Sequence, residues 1–141
     1  EPVCDIYVKA SKLKGVTVSG GIIPYIIDEI PILSVAAAYA EGTTVISGAE
    51  ELKYKETDRL EAISAEISKC GVKIIKTDDG LIIEGSEDIK GAEFDSRFDH
   101  RIAMSAAVLA AFAKGESVIK NAQCVEISYP HFFEDFFSVK K

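Results

Sequence analysis

Cysteine is scarce, long apolar runs are missing, and no basic run exceeds two adjacent lysines. Each shortage closes off a class of protein. Cys4, Cys70 and Cys124 are far apart and lack a second Cys or His at ligand spacing. That excludes a disulfide framework or zinc site and points to reduced thiols in the cytoplasm. A net charge of −7 without a basic stretch argues against nucleic-acid binding. The apolar runs fall far short of the roughly 20 residues a membrane-spanning helix requires, so no membrane role is expected. The opening residues EPVCDIYVKA are acidic and strand-like, unlike a cleavable signal. The chain opens on Glu1 and its only methionine is Met104, the pattern expected of a piece of a longer protein.

What is present suits one core. A chain of 141 residues with 48% hydrophobic and 28% charged residues matches a soluble globular domain. Residues 3–9 and 15–19 read as short β-branched strands. Residues 28–41 read as a helix capped by Asp28 and stopped by Gly42, with Ile32, Val35, Ala36 and Tyr39 on its apolar face. TTVISGA then reads as a strand. A second helix spans about 58–70 with Leu60, Ile63 and Ile67 inward, and VKIIKTDDGLIIEG reads as a hairpin turning at Asp-Asp-Gly. A third helix is capped near Asp99 and stopped at Gly115, with Ile102, Ala106, Leu109 and Phe112 facing the core. ESVIKNA is a strand. The tail from Pro130 is a short aromatic helix whose phenylalanines and His131 are expected to pack.

An internal repeat underlies this order. An offset of 73 lays residues 35–49 on residues 108–122 with 8 of 15 positions identical, including Gly42 on Gly115. The unit is helix, strand, helix, hairpin, present once complete and once truncated, and the fold class is α/β. Packed repeats point their equivalent elements the same way. The helix starts carrying Asp28, Lys55–Arg59 and His100–Arg101 should therefore share one rim.

Charge at those helix starts is unusual. Arg59 and Arg101 lie in first turns, where a cation opposes the macrodipole by a few tenths to about 1 kcal/mol. Two readings remain open. An anion is held between the guanidinium groups and the free backbone N–H groups, or Arg59 pairs with Asp58 or Glu61 and Arg101 with Asp99. On the first reading both arginines stand unneutralised, and replacing either by Gln leaves stability unchanged or slightly raised. Asp28 and Glu56 are candidate proton movers, although on the residues alone capping is the better account of Asp28 and a loop carboxylate such as Glu56 is more often merely solvated. A general acid at position 56 needs burial to outweigh its cationic neighbours. His100 could donate to the same anion.

The wording of these segments is similar to one family. ELKYKETDRLEAI (51–63) resembles the Lys-Glu-Ser/Thr-Asp-Arg signature of 5-enolpyruvylshikimate-3-phosphate synthases. DHRIAMSAAVLA (99–110) resembles their Asp-His-Arg segment, and IPYIIDEIPILSVAAAYAEGTT (23–44) their Asp-Glu-hydrophobic-Pro helix. The resemblance covers nearly the whole chain and implies an enolpyruvate-transferase-like domain of βαβαββ repeats. Residues 1–141 would form a single partial domain, the C-terminal part of a two-domain protein whose N-terminal domain is the missing partner. It also implies transfer of the enolpyruvyl group of phosphoenolpyruvate to the 5-hydroxyl of shikimate 3-phosphate, with no metal and no organic cofactor. On that pattern Asp28 binds shikimate 3-phosphate and takes its hydroxyl proton, and Lys55 contacts the substrate. Glu56 protonates the methylene, while Arg59, Arg101 and His100 hold phosphoenolpyruvate. Two positions depart from the pattern. Glu51 stands where many members carry Asn, and Ile127 stands where some carry a further lysine. The alternatives are a non-catalytic anion-binding repeat module and a related enolpyruvyl transferase acting on UDP-N-acetylglucosamine.

Overall fold

Both alanine-rich helices cross over between parallel strands, which is how the repeat takes shape. The computed structural model describes residues 3–139. In the first unit β1 (Thr17–Val18) pairs in parallel with β2 (Thr43–Ile46), Thr17 lying opposite Val45. Between them runs a broken helix. It comprises a 3-10 turn at Gly20–Ile22, α1 (Ile23–Ile26), a second turn at Ile27–Glu29, and α2 (Ile30–Ala38). Beyond β2, a 3-10 turn at Glu50–Tyr54 leads into α3 (Arg59–Ser68) and the antiparallel hairpin β3 (Lys73–Lys76) and β4 (Leu81–Glu84). The sheet order is β1-β2-β4-β3. The second unit pairs β5 (Glu93–Asp95) in parallel with β6 (Val118–Lys120) across α4 (His100–Phe112). A 3-10 turn at Ala122–Ile127 and α5 (Phe132–Val139) follow. One βαβαββ unit is thus complete and a second runs as βαβα.

Residues one repeat apart touch at both ends of the helix pair. The rings of Tyr39 and Phe112 meet edge to face at 6.1 Å. At the other end Arg101 Nη1 donates to the Asp28 carbonyl at 2.9 Å, across 73 residues. α2 and α4 therefore run side by side in the same direction, with their N-termini together. Both helices are followed by a glycine in the left-handed region, Gly42 at φ 91° and Gly115 at φ 92°. The main core lies between these helices, α3 and the larger sheet, and contains Ile30, Val35, Leu52, Leu60, Ile63, Ile67, Leu81, Ile83, Phe94, Ile102 and Leu109.

Several expectations fail for identifiable reasons. Residues 3–9 form no strand, because among the described residues no neighbouring strand accepts their ladder bonds, and Val3, Ile6, Tyr7 and Val8 are exposed. Asp28 is not a cap; α2 follows Glu29 without a side-chain cap, and the Asp28 carboxylate is used elsewhere. The inward face of α2 is Ile30, Pro31, Ser34, Val35, Ala37 and Ala38, with Ile32 left exposed. Phe112 is exposed, as is Phe137, while Phe132 and Phe133 pack on a small second cluster with Ala103, Cys124 and Val125. His131 is exposed and faces Glu134 at 3.2 Å instead of packing. By length and composition alone Gly20–Ala38 could cross a membrane, contrary to the expectation from run length. Its α2 portion is a core helix of this domain.

Candidate functional site

Arg59 is the first residue of α3, just after the N-cap Asp58, whose Oδ1 accepts from Glu61 N at 3.0 Å. Its side chain is only 1% exposed, and three carboxylates from separate segments surround it. Nε donates to Asp99 Oδ2 at 2.8 Å, Nη1 to Asp28 Oδ1 at 3.0 Å, and Nη2 to Glu56 Oε2 at 2.6 Å. Burial works against the charge. The hydrogen bond to Asp99 and the fields of Asp99, Glu56 and Asp28 outweigh it and hold the guanidinium above its ordinary value. Arg59 is therefore not the unneutralised charge that the anion reading carried with it, and its ion-pair partners are not Asp58 or Glu61.

Asp99 sits at 0% exposure and serves two structures at once. Its Oδ1 accepts from the backbone N–H groups of Arg101 at 2.9 Å and Ile102 at 3.3 Å, capping α4. Its other oxygen holds Arg59. The chain reaches this point through Arg97 (φ 53°) and Phe98 (φ 61°), two consecutive side-chain-bearing residues in the left-handed region. Asp95 accepts from Arg97 N and Ser96 Oγ from Phe98 N, which stabilises the turn. The sequence marked Asp99 as a cap and as a partner for Arg101, not for Arg59.

The remaining residues complete the rim. Arg101 turns toward the first repeat, with Nη2 at 3.5 Å from Asp28 Oδ2 and Nη1 at 3.4 Å from Glu29 Oε1. Asp99 engages its backbone, not its guanidinium. Lys55 lies 3.8 Å from Asp28 and 2.7 Å from Glu51. Its ammonium is held above its ordinary value, chiefly by the hydrogen bond to Glu51 and then, against some burial, by Asp28. The structure thus brings Asp28, Lys55, Glu56, Arg59 and Arg101 together. His100 opens α4 beside them, but among the described residues no side-chain hydrogen bond joins it to the cluster. Asp28 and Glu56 are 41% and 50% exposed, and these two reachable carboxylates cover the Nη edge of their shared arginine. Ile127 stands exposed at the end of its 3-10 turn. Among the described residues, no group of three or more His, Cys, Asp or Glu is disposed to hold a metal ion.

Comparison with known proteins gives a consistent picture. The family model for EPSP synthase (3-phosphoshikimate 1-carboxyvinyltransferase) matches residues 1–136. A 3-phosphoshikimate 1-carboxyvinyltransferase from Thermoanaerobacter sp. is 54% identical over 136 residues, covering 96% of this chain and 32% of that protein. One from Synechocystis sp. is 55% identical over 133 residues, covering 94% of this chain and 30% of the relative. The structure of an Acinetobacter baumannii EPSP synthase superposes with a TM-score of 0.83 at 39% identity, covering 87% of this chain and 29% of its own. This chain spans about a third of the length of these relatives.

Proposed function

Because the chain belongs to the EPSP synthase family, we propose that it supplies part of an active site that transfers the enolpyruvyl group. The donor is phosphoenolpyruvate, the acceptor is the 5-hydroxyl of shikimate 3-phosphate, and phosphate is released. The observation that carries this reading is the convergence on Arg59 of Asp28 and Glu56, two reachable carboxylates from distant segments. An addition of this kind moves two protons in opposite directions. The 5-hydroxyl must lose one as its oxygen attacks, and the methylene carbon must gain one. Asp28, beside Arg59, Lys55 and Arg101, would take the hydroxyl proton, and Glu56 would be the donor. Arg101 and the Nη edge of Arg59 would hold the carboxylate and phosphate of phosphoenolpyruvate, with His100 alongside. Lys55 would meet shikimate 3-phosphate once Glu51 yields it. Elimination of phosphate then returns the methyl proton to Glu56.

On this reading the chain is the C-terminal part of a two-domain enzyme, and an N-terminal domain closes over both substrates. Phosphate release from shikimate 3-phosphate and phosphoenolpyruvate by the full-length protein tests it. Asp28→Asn and Glu56→Gln should each lower kcat by about 100-fold or more. Release with UDP-N-acetylglucosamine in place of shikimate 3-phosphate would assign the acceptor otherwise. Binding without release would leave an anion-binding module.

A further inference from the structure

Glu56 has a proton to deliver, yet its Oε2 stands 2.6 Å from Arg59 Nη2. That contact is one a carboxylate makes and a carboxylic acid loses. Resting on the enolpyruvyl-transfer reading, we propose that Glu56 is a substrate-gated acid. The phosphoenolpyruvate anion takes over the Nη edge of Arg59, and the displaced Glu56 draws a proton from solvent, which it then gives to the methylene carbon.

The hub is built so that the partners change and the arginine does not. Arg59 is 1% exposed and tied through Nε to Asp99, which is itself fully buried and fixed by two backbone N–H groups of α4. Glu56 lies in the loop between the 3-10 turn Glu50–Tyr54 and α3, so its side chain can swing away without disturbing either element.

The handover separates acid from base because the two carboxylates are unequally provided with cations. Asp28 faces three: Arg59 at 3.0 Å, Arg101 at 3.5 Å and Lys55 at 3.8 Å. Among the described residues Glu56 has an ion pair with Arg59 alone. Lys55 pairs with Glu51 and Asp28, and Arg101 with Glu29 and Asp28; neither pairs with Glu56 among the described residues. The remaining charge near the hub, Asp99, is negative and buried. With phosphoenolpyruvate on Arg59 and Arg101, Asp28 still has Lys55 at 3.8 Å, whereas Glu56 has an anion in place of its cation. The first stays a base and the second gains a proton. In the step that follows, the Glu56 O–H bond breaks as the alkene electron pair forms the new C–H bond. The acceptor oxygen bonds the adjacent carbon, and its proton passes to Asp28.

Calorimetric titration of the full-length protein with phosphoenolpyruvate, in two buffers of different ionisation heat near neutral pH, reads the proton directly. The wild type should take up at least about half a proton more per site than Glu56→Gln, which should bind at least as tightly. The phosphate of the ligand titrates equally in both proteins and drops out of the difference. Glu56→Asp, which keeps a titrating group, should restore the uptake. Equal uptake in wild type and Glu56→Gln, with turnover intact in the wild type, overturns the gating alone. A folded wild type that neither binds phosphoenolpyruvate nor releases phosphate overturns the enolpyruvyl-transfer reading and the gating with it.

Discussion

Arg59 shows how a side chain can hold the site and the domain together. Removing one member of a buried ion pair leaves the other charge stranded, at about 3–5 kcal/mol. Arg59→Gln should therefore lower the stability of the chain by that amount in urea melts, because Asp99, at 0% exposure, would lose the guanidinium it is buried against. A helix-dipole argument alone expects no loss, because it counts the dipole and omits the three carboxylates on Arg59. Arg101 is different. Its side chain is 32% exposed and meets half-exposed acids, so Arg101→Gln should cost at most about 1 kcal/mol. Glu51 offers a test of substrate contact. Its carboxylate occupies Lys55 at 2.7 Å, so Glu51→Gln should lower KM for shikimate 3-phosphate in the full-length protein by up to about fivefold. The charged segments were legible because their residues recur at equivalent helix starts. Their pairing was not, since Asp28, Glu56 and Asp99 meet Arg59 only after three separate turns of chain have been placed.

At the scale of elements the repeat makes its own forecast. Gly42 and Gly115 share the same left-handed φ, and a Cβ at either would meet nothing within 4 Å. Ala at each should cost a similar ~1–2 kcal/mol, from backbone strain alone. Gly85 has the opposite problem, since its Cβ would lie 1.7 Å from the Ala40 carbonyl oxygen. Gly85→Ala should exceed both in thermal melts by separating β4 from the end of α2. Glycine stops, the Asp-Asp-Gly hairpin and the inward stripe of α3 were legible because each is fixed by local backbone chemistry. The strand expected at 3–9 was not. Its β-branched pattern is real, but a strand is defined by a partner, and among the described residues none lies alongside. The exposed faces of Ile32 and Phe112 mislead in the same way. They border a groove of about 960 Å³ between α2, α4 and residues 9–13, so helical spacing marks them apolar without saying what covers them.

For the whole molecule, both titration and charge set limits. Burial, and then Glu66, push the Cys70 thiol up to about 11; burial, and then Cys70, push the Tyr39 hydroxyl up to about 12. Groups whose ionisation is delayed by folding add stability that is complete below their unfolded values, near 9 and 10, and is lost as pH rises through the folded ones. Stability should thus fall between about pH 9 and 12, and Cys70→Ser should shift the start of that decline upward. Charge bears on activity. Around the rim, Asp28, Glu29, Glu51, Glu56 and Asp99 outnumber Lys55, Arg59 and Arg101. Phosphoenolpyruvate and shikimate 3-phosphate are both multiply anionic, so a rim with an excess of acids cannot hold the pair unaided. On the proposed enolpyruvyl-transfer reading, the balance would be supplied by the N-terminal domain that closes over both substrates and excludes water. The 141-residue chain should therefore fold, with a cooperative melt, and release no phosphate above background from the two substrates. Joined to the remainder of the protein it should regain turnover, and turnover by the chain alone would mean that the acids on this rim give way more readily than their contacts imply.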